Sequence, residues 1–277
     1  SIRRQRQMCI RDRHNTRLGR VLNWLTGGCY GTYEDLRYKH MRHHVDNADT
    51  IAFDYRAWLK AHPRTEKLVF ALEWAYVPAV DYMMHAVLMV APFIGYADKS
   101  QRPRAALVLA VRFGALALLA LWSLKAVLLY ALAYTLMLTV LRFFDAFQHN
   151  YEIIAILNNP DAPLPHKGDR DYENDNTYSN PVSRRWPVLN LLVLNFCYHN
   201  AHHVKPTLPW YKLPALHREL YGDEYQRTLA FSDQLRSYHR HRLAGIHAET
   251  YGQVPAHQAM REGQAVPVYG LSFLTAF

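Results

Sequence analysis

Cysteine is scarce in this chain. Cys9, Cys29 and Cys197 are the only three, and no two of them form a CxxC pair. They give neither a disulfide framework nor zinc-knuckle spacing, so a reducing, cytoplasm-facing setting is the simpler reading. Nucleotide fingerprints are missing too: there is no GxGxxG and no P-loop. Residues 1–13 (SIRRQRQMCIRDR) have no apolar stretch and so do not form a secretory signal. That string resembles translated sequencing-adapter read-through and is read as a tail outside the fold. Acidic residues are in deficit, 23 against 32 Lys and Arg, for a net charge of +9. A basic balance suits nucleic acid, an anionic membrane surface or an acidic protein partner. The basic residues are scattered, and a long apolar run needs lipid, so nucleic acid is not expected as a partner. No internal repeat is visible.

What is present is unevenly spread. Half the residues are apolar, yet the mean hydropathy is slightly negative. Very apolar segments therefore alternate with very polar ones. Residues 17–31 are apolar with a Gly-Gly break. Thr32-Tyr-Glu-Asp35 reads as a helix start, with Thr32 capping and two acids in the first turn, and the helix should run to about Asp46. Residues 47–66 read as a polar connector. Residues 67–96 are apolar but carry Glu73, Asp81, His85, Pro78 and Pro92, and 97–104 form a basic loop. Residues 105–147 are an almost unbroken apolar run interrupted at Trp122–Lys125. A spanning helix needs about 20 apolar residues, so this run predicts two spans folded back at Ser123–Lys125. Residues 158–185 read as a polar loop, 186–204 as apolar, 214–245 as helical, and 246–277 as a weakly patterned tail. Residues 14–245 then make up one domain.

Histidine is the outlier, with 16 copies. His40, His43 and His44 form HxxHH, and His199, His202 and His203 form HxxHH again. On a helix, positions i, i+3 and i+4 share a face, so each cluster aims its imidazoles in a similar direction. Imidazole ligates Fe, Zn, Cu and Ni. Six convergent imidazoles exceed what one four-coordinate zinc uses, which predicts a dinuclear site. His149 is a candidate seventh ligand, placed where the second span leaves the bilayer. Asp145 and His149 are i and i+4 and so share a face, and Asp145 is the candidate catalytic carboxylate. It would orient a ligand or a metal-bound water. A zinc protease is excluded, because His40-x-x-His43 lacks the HExxH spacing. His239 and His241 read as a solvated helix face. His85 reads as interfacial or hydrogen-bonded. His14, His62, His166, His217, His247 and His257 read as isolated surface residues.

Topology tests these readings together. One site needs all its ligands on one side, so an even number of spans must join His44 to His149. Residues 105–147 supply two, and 67–96 should then lie at the interface or re-enter rather than cross. Its acids agree, since a central carboxylate costs about 2.5–3.5 kcal/mol on insertion scales. Lys99, Arg102 and Arg104 then fall on the cytoplasmic side, as the positive-inside rule prefers. The expected fold is an all-α integral membrane protein, with a transmembrane hairpin and a cytosolic helical cap carrying a histidine-rich di-metal site.

These residues resemble the membrane fatty acid desaturase family, with its HxxxH first box, two HxxHH boxes and an extra histidine near the end of the last span. His40, His43 and His44 match the second box, His149 the extra histidine, and His199, His202 and His203 the third. The run Val204–Pro214 resembles the family's proline-and-tyrosine stretch after the third box. The likeness covers residues 14–245 and is closer to bacterial acyl desaturases than to alkane hydroxylases. No HxxxH precedes residue 40. The resemblance implies that the first box and a first hairpin belong upstream of His14, leaving seven ligands here.

The resemblance further implies two Fe ions, O2 as co-substrate, a fatty acyl substrate within membrane lipid, and removal of two hydrogens to leave a cis double bond. No flavin, haem or iron–sulfur motif is present, so an external ferredoxin- or cytochrome-like electron donor is expected. A bacterial inner membrane, with the metal site facing the cytoplasm, is the implied location. The rival readings are a hydroxylase or ketolase on the same scaffold, and a non-catalytic membrane metal-binding protein.

Overall fold

The computed structural model describes residues 13–26, 31–151, 153–156, 163–222 and 227–246. Cys9, Cys29, His247 and His257 lie outside them, as does the side chain of His14. The fold is helical. Helix α1 (Arg13–Thr26) precedes α2 (Tyr33–Asp46), strand β1 (Asp49–Ile51), α3 (Tyr55–Ala61), α4 (Pro63–Trp74) and α5 (Ala79–Ile94). Then come α6 (Arg102–Trp122), α7 (Leu124–Asp145) and strand β2 (Ile154–Ile156). Short helices α8 (Arg170–Asp175) and α9 (His199–Val204) lead to α10 (Leu213–Tyr221) and α11 (Phe231–Gly245).

Helices α6 and α7 form the hairpin. They have 21 and 22 residues, about 32 Å each at 1.5 Å per residue, enough for a hydrocarbon core of about 30 Å. The fold-back is at Ser123, whose extended backbone breaks the helix and whose Oγ accepts from Ala126 N at 3.2 Å. Only 11% and 6% of their apolar windows are buried. A helix pair in a soluble core would be mostly covered, so these leucine-rich faces are built for lipid.

Helix α5 does not cross. Its 16 residues reach about 24 Å, short of the core thickness. Both its ends meet the same end of the hairpin. Near its start, Asp81 Oδ2 accepts from Arg142 Nη1 at 3.1 Å on the last turns of α7. Near its end, the Pro92 carbonyl accepts from Arg102 Nε at 2.9 Å, at the first residue of α6. Between them, hydrogen bonds from Tyr82 to Thr135 and from His85 to Tyr134, both 2.6 Å, lay α5 across α7. The acids that looked anomalous in an apolar stretch are thereby explained. Glu73 Oε1 accepts from Arg142 Nη1 at 2.6 Å and from Val80 N at 2.9 Å, so one buried guanidinium pairs with two buried carboxylates.

The histidine-bearing elements gather at this same end. Helix α2 starts as expected: Asp35 N donates to Thr32 Oγ1 at 3.0 Å and Thr32 N donates back to Asp35 Oδ2 at 3.1 Å. It ends at Asn47, which adopts a left-handed conformation and donates Nδ2 to the carbonyls of His166 and Asp169. The 47–66 stretch is not a plain connector, however. It contains β1, which pairs in parallel with β2 (Asp49 with Ile154, Ile51 with Ile156), and also α3. This ladder fixes the chain just after the first HxxHH beside the chain just after His149. Below it, Ile51, Phe53, Tyr55, Leu59, Val80 and Met84 form the main apolar core.

Candidate metal centre

The seven histidines named from the sequence converge. Helix α2 supplies His40, His43 and His44, α9 supplies His199, His202 and His203, and the segment leaving α7 supplies His149. Their Nε2 atoms fall into two adjacent groups. His40, His44 and His202 form a near-equilateral triangle, each Nε2 3.2 Å from the other two. His43, His149, His199 and His203 form the second group, with Nε2 separations of 3.0 Å (43–149), 2.7 Å (149–199) and 3.1 Å (199–203).

The two boxes are shared between the groups rather than assigned one to each. The i and i+4 histidines of α2 enter the triangle and its i+3 histidine enters the quartet. In α9 the pattern reverses: His199 and His203 enter the quartet and His202 the triangle. Helical twist is the reason. At about 100° per residue, positions i+3 and i+4 diverge by about 100° while i and i+4 stay about 40° apart. A HxxHH motif therefore addresses two neighbouring points, and two such helices facing each other enclose both.

Donor chemistry fits metal ions at both points. His43 Nδ1 is 2.9 Å from the Ala48 carbonyl, which can only accept, so Nδ1 carries the proton and Nε2 presents a lone pair. His203 Nδ1 donates to Glu173 Oε1 at 2.8 Å with the same result. Lone pairs turned toward one another in a buried site repel unless a cation sits among them. Adjacent ligands on one ion, with bonds of about 2.1 Å, lie roughly 3 to 3.4 Å apart, the spacing of the triangle. Burial, reinforced by the neighbouring imidazoles, pulls His43 and His202 down to about 3. It holds His40, His149, His199 and His203 well below the usual histidine range. Neutral imidazole is the ligating form.

Surrounding residues orient these rings. Glu173 spans the two groups, with Oε1 2.8 Å from His203 Nδ1 in the quartet and 3.9 Å from His44 Nδ1 in the triangle. The buried Tyr151 ring stacks on His149 at 4.6 Å. A bridge to Thr177 holds the His149 backbone, and the Thr177 carbonyl accepts from Asn200 Nδ2 of α9, tying His149 to the helix of His199, His202 and His203. A small polar chamber of about 20 Å³ beside the quartet is lined by Lys39, His43, Asp49, Asp145, Gln148, His149 and others. Lys39 is fully buried there, and burial lowers its ammonium to about 7 against the opposing charges of Asp145 and Asp49.

Several expectations need correction. Asp145 and His149 do not share a helical face, because α7 ends at Asp145 and a turn carries the chain to His149; both nevertheless line the chamber. The 158–185 stretch is not only loop, since it holds α8, capped by Asp169. His217 is buried rather than on the surface, its Nδ1 3.5 Å from Ser179 Oγ. His166 stacks on Tyr172 with ring centroids 3.7 Å apart. His85 is hydrogen-bonded, as expected. Glu173, Lys39 and Tyr151 carried no spacing signal. Only the Asp169 cap ahead of a short acidic run pointed to a helix that could hold Glu173.

Among protein families, residues 6–234 match the model described as fatty acid desaturase. Comparison with curated proteins and with solved structures returned no match.

Proposed function

Since the chain belongs to the fatty acid desaturase family, we propose that it binds two iron ions and uses O2 to introduce a double bond into a fatty acyl chain at a membrane. The observation that carries this reading is the division of seven Nε2 atoms into two adjacent groups, which supports a dinuclear site. Iron bound there would supply O2 reduction and the oxidising power to take hydrogen from an unactivated C–H bond. His40, His44 and His202 would hold one ion, and His43, His149, His199 and His203 the other. The triangle has one donor fewer than the quartet.

The protein's own part is binding, orientation and proton handling. Glu173 fixes the His203 tautomer and leans on His44, so it would keep both groups in register. Asp145, beside Lys39 in the polar chamber, would hold a proton at its carboxylate close to the quartet. A cavity of about 460 Å³ lies under α2 and α5. Its lining includes Phe53, Met84, Val87, Leu88 and Ala91 together with Asp35, Asp98 and Gln101. A mixed apolar and polar lining suits an acyl chain with a polar head. Lys99, Arg102 and Arg104 lie at the metal-site end of the hairpin, which supports a cytoplasmic site and an acidic electron donor of ferredoxin or cytochrome type.

The test is His202→Ala. Iron content and acyl desaturation should fall together, and unchanged iron would overturn the assignment. The three-donor triangle favours a second reading, a non-catalytic membrane metal-binding protein. Zinc in the purified protein, with no O2 consumption and no C=C in the product, would select it.

A further inference from the structure

Residues 181–196, between the polar loop and the second HxxHH, are folded with their polar groups inward and their apolar groups outward. The loop closes on itself where Asn180 N donates to the Cys197 carbonyl at 2.8 Å. Its base is fixed to the membrane hairpin, because Asn180 Nδ2 donates to the carbonyl of Phe144, one residue before the end of α7, at 2.6 Å. The loop therefore leaves and returns where the span exits the bilayer. Asn190 is completely buried at its centre. Its Oδ1 accepts from Ser183 N at 3.1 Å, and its Nδ2 donates to the Ser183 carbonyl and to Tyr198 Oη, both at 3.0 Å.

The outer surface is the reverse. Trp186, Val188, Leu189, Leu191, Leu192 and Leu194 are all exposed, Leu192 by 77%. A loop meant for water would turn these inward and Asn190 outward. At its entry stand Arg184 and Arg185, with the Arg185 guanidinium 5.5 Å from the centre of the Trp186 ring. An arginine beside a tryptophan at the edge of an apolar patch matches the headgroup level of an anionic bilayer.

We propose that this loop inserts into the bilayer interface as a contact separate from the hairpin, with Arg184 and Arg185 on lipid phosphates and Val188–Leu194 among the upper acyl carbons. The anchoring reaches the metal centre directly. Cys197 and Tyr198 lead into α9, and the Phe196 ring packs 5.6 Å from that of His202. Lipid seating of the loop thus helps set the position of the helix that carries three ligands.

The proposal rests on the chain being membrane-embedded, and the experiment separates the two. The full chain with Cys9→Ser and Cys29→Ser, retaining the buried Cys197, is reconstituted in vesicles of anionic phospholipid. A bimane probe is placed at Val188→Cys, Leu192→Cys, mid-hairpin Leu132→Cys or exposed Arg236→Cys. Brominated acyl chains should quench the probes at 188, 192 and 132 several-fold more than the probe at 236, and aqueous iodide should show the opposite order. Quenching at 132, with 188 and 192 open to iodide, would overturn the loop proposal alone. No bromine quenching at 132 would remove the membrane reading and the loop proposal with it. Shielding of 192 from both quenchers that disappears on dilution into excess lipid would assign the patch to a second copy of the chain, against the proposal. Arg184→Glu with Arg185→Glu should lower bromine quenching at 192 on anionic vesicles but not on neutral ones, and equal quenching on both would refute the role given to the arginines.

Discussion

Glu173 holds one ring directly and lies beside another: its Oε1 accepts from His203 Nδ1 at 2.8 Å and stands 3.9 Å from His44 Nδ1. Glu173→Gln keeps the shape and removes the charge, and loss of such a partner typically lowers metal affinity about 10–100-fold. Chelator competition should show that drop, with secondary structure unchanged by circular dichroism. Acid should act in the same direction. Six of the seven imidazoles are held below the ordinary value by burial, while in the unfolded chain they titrate near 6.5. From about 6.5 downward the unfolded state binds more protons, so stability falls as pH falls, by at most about 1.4 kcal/mol per unit for each such histidine. The loss continues to about 3 for His43 and His202, and above about 6.5 the contribution is constant. The unfolding temperature should therefore begin to fall as pH drops below about 6.5, and a rise in acid would contradict neutral imidazoles in the folded protein.

Helix α5 is held to α7 by a charge cluster that sequence alone displayed as three unrelated ionisable residues. Arg142 reaches Glu73 and Asp81 at 2.6 and 3.1 Å, and all three are buried. Removing one partner of a buried ion pair typically costs about 3–5 kcal/mol, because the remaining charge has no water to return to. Arg142→Met leaves two carboxylates without a cation, at the level where α5 lies across the hairpin. The expected result is a lower unfolding temperature in detergent and less folded protein in the membrane fraction. Glu73→Gln with Asp81→Asn in the Arg142→Met background should recover much of the loss, since no buried charge remains. Failure of that rescue would mean the cluster matters for something other than charge balance.

The whole molecule pairs a lipid-facing hairpin with a polar cap whose interior is unusually rich in histidine. The hairpin concentrates exposed apolar side chains, while the polar cap brings the mean hydropathy of the whole chain slightly below zero. With two spans exposed to this degree, the protein should stay in the pellet after alkaline carbonate washing of membranes and need detergent for release. Release by carbonate would place it on the membrane surface instead. The histidine cluster sits where the hairpin and the β1–β2 ladder meet.

Sequence determined a good deal of this by itself. Period and length marked the hairpin and its break at Ser123, the Thr32 cap marked α2, and the repeated HxxHH with His149 named all seven converging histidines. Those features are local: capping, hydropathy and i, i+4 spacing act within a few residues and can be read one window at a time. Only the tertiary structure decided which histidines of α2 join which of α9, because that pairing depends on the relative rotation of the two helices. It alone gave Glu173 its place between the groups, Lys39 its burial and Arg142 its two acids. Each of those comes from residues tens of positions apart meeting in space, set by the β1–β2 ladder and the packing of α5 on the hairpin rather than by any spacing along the chain.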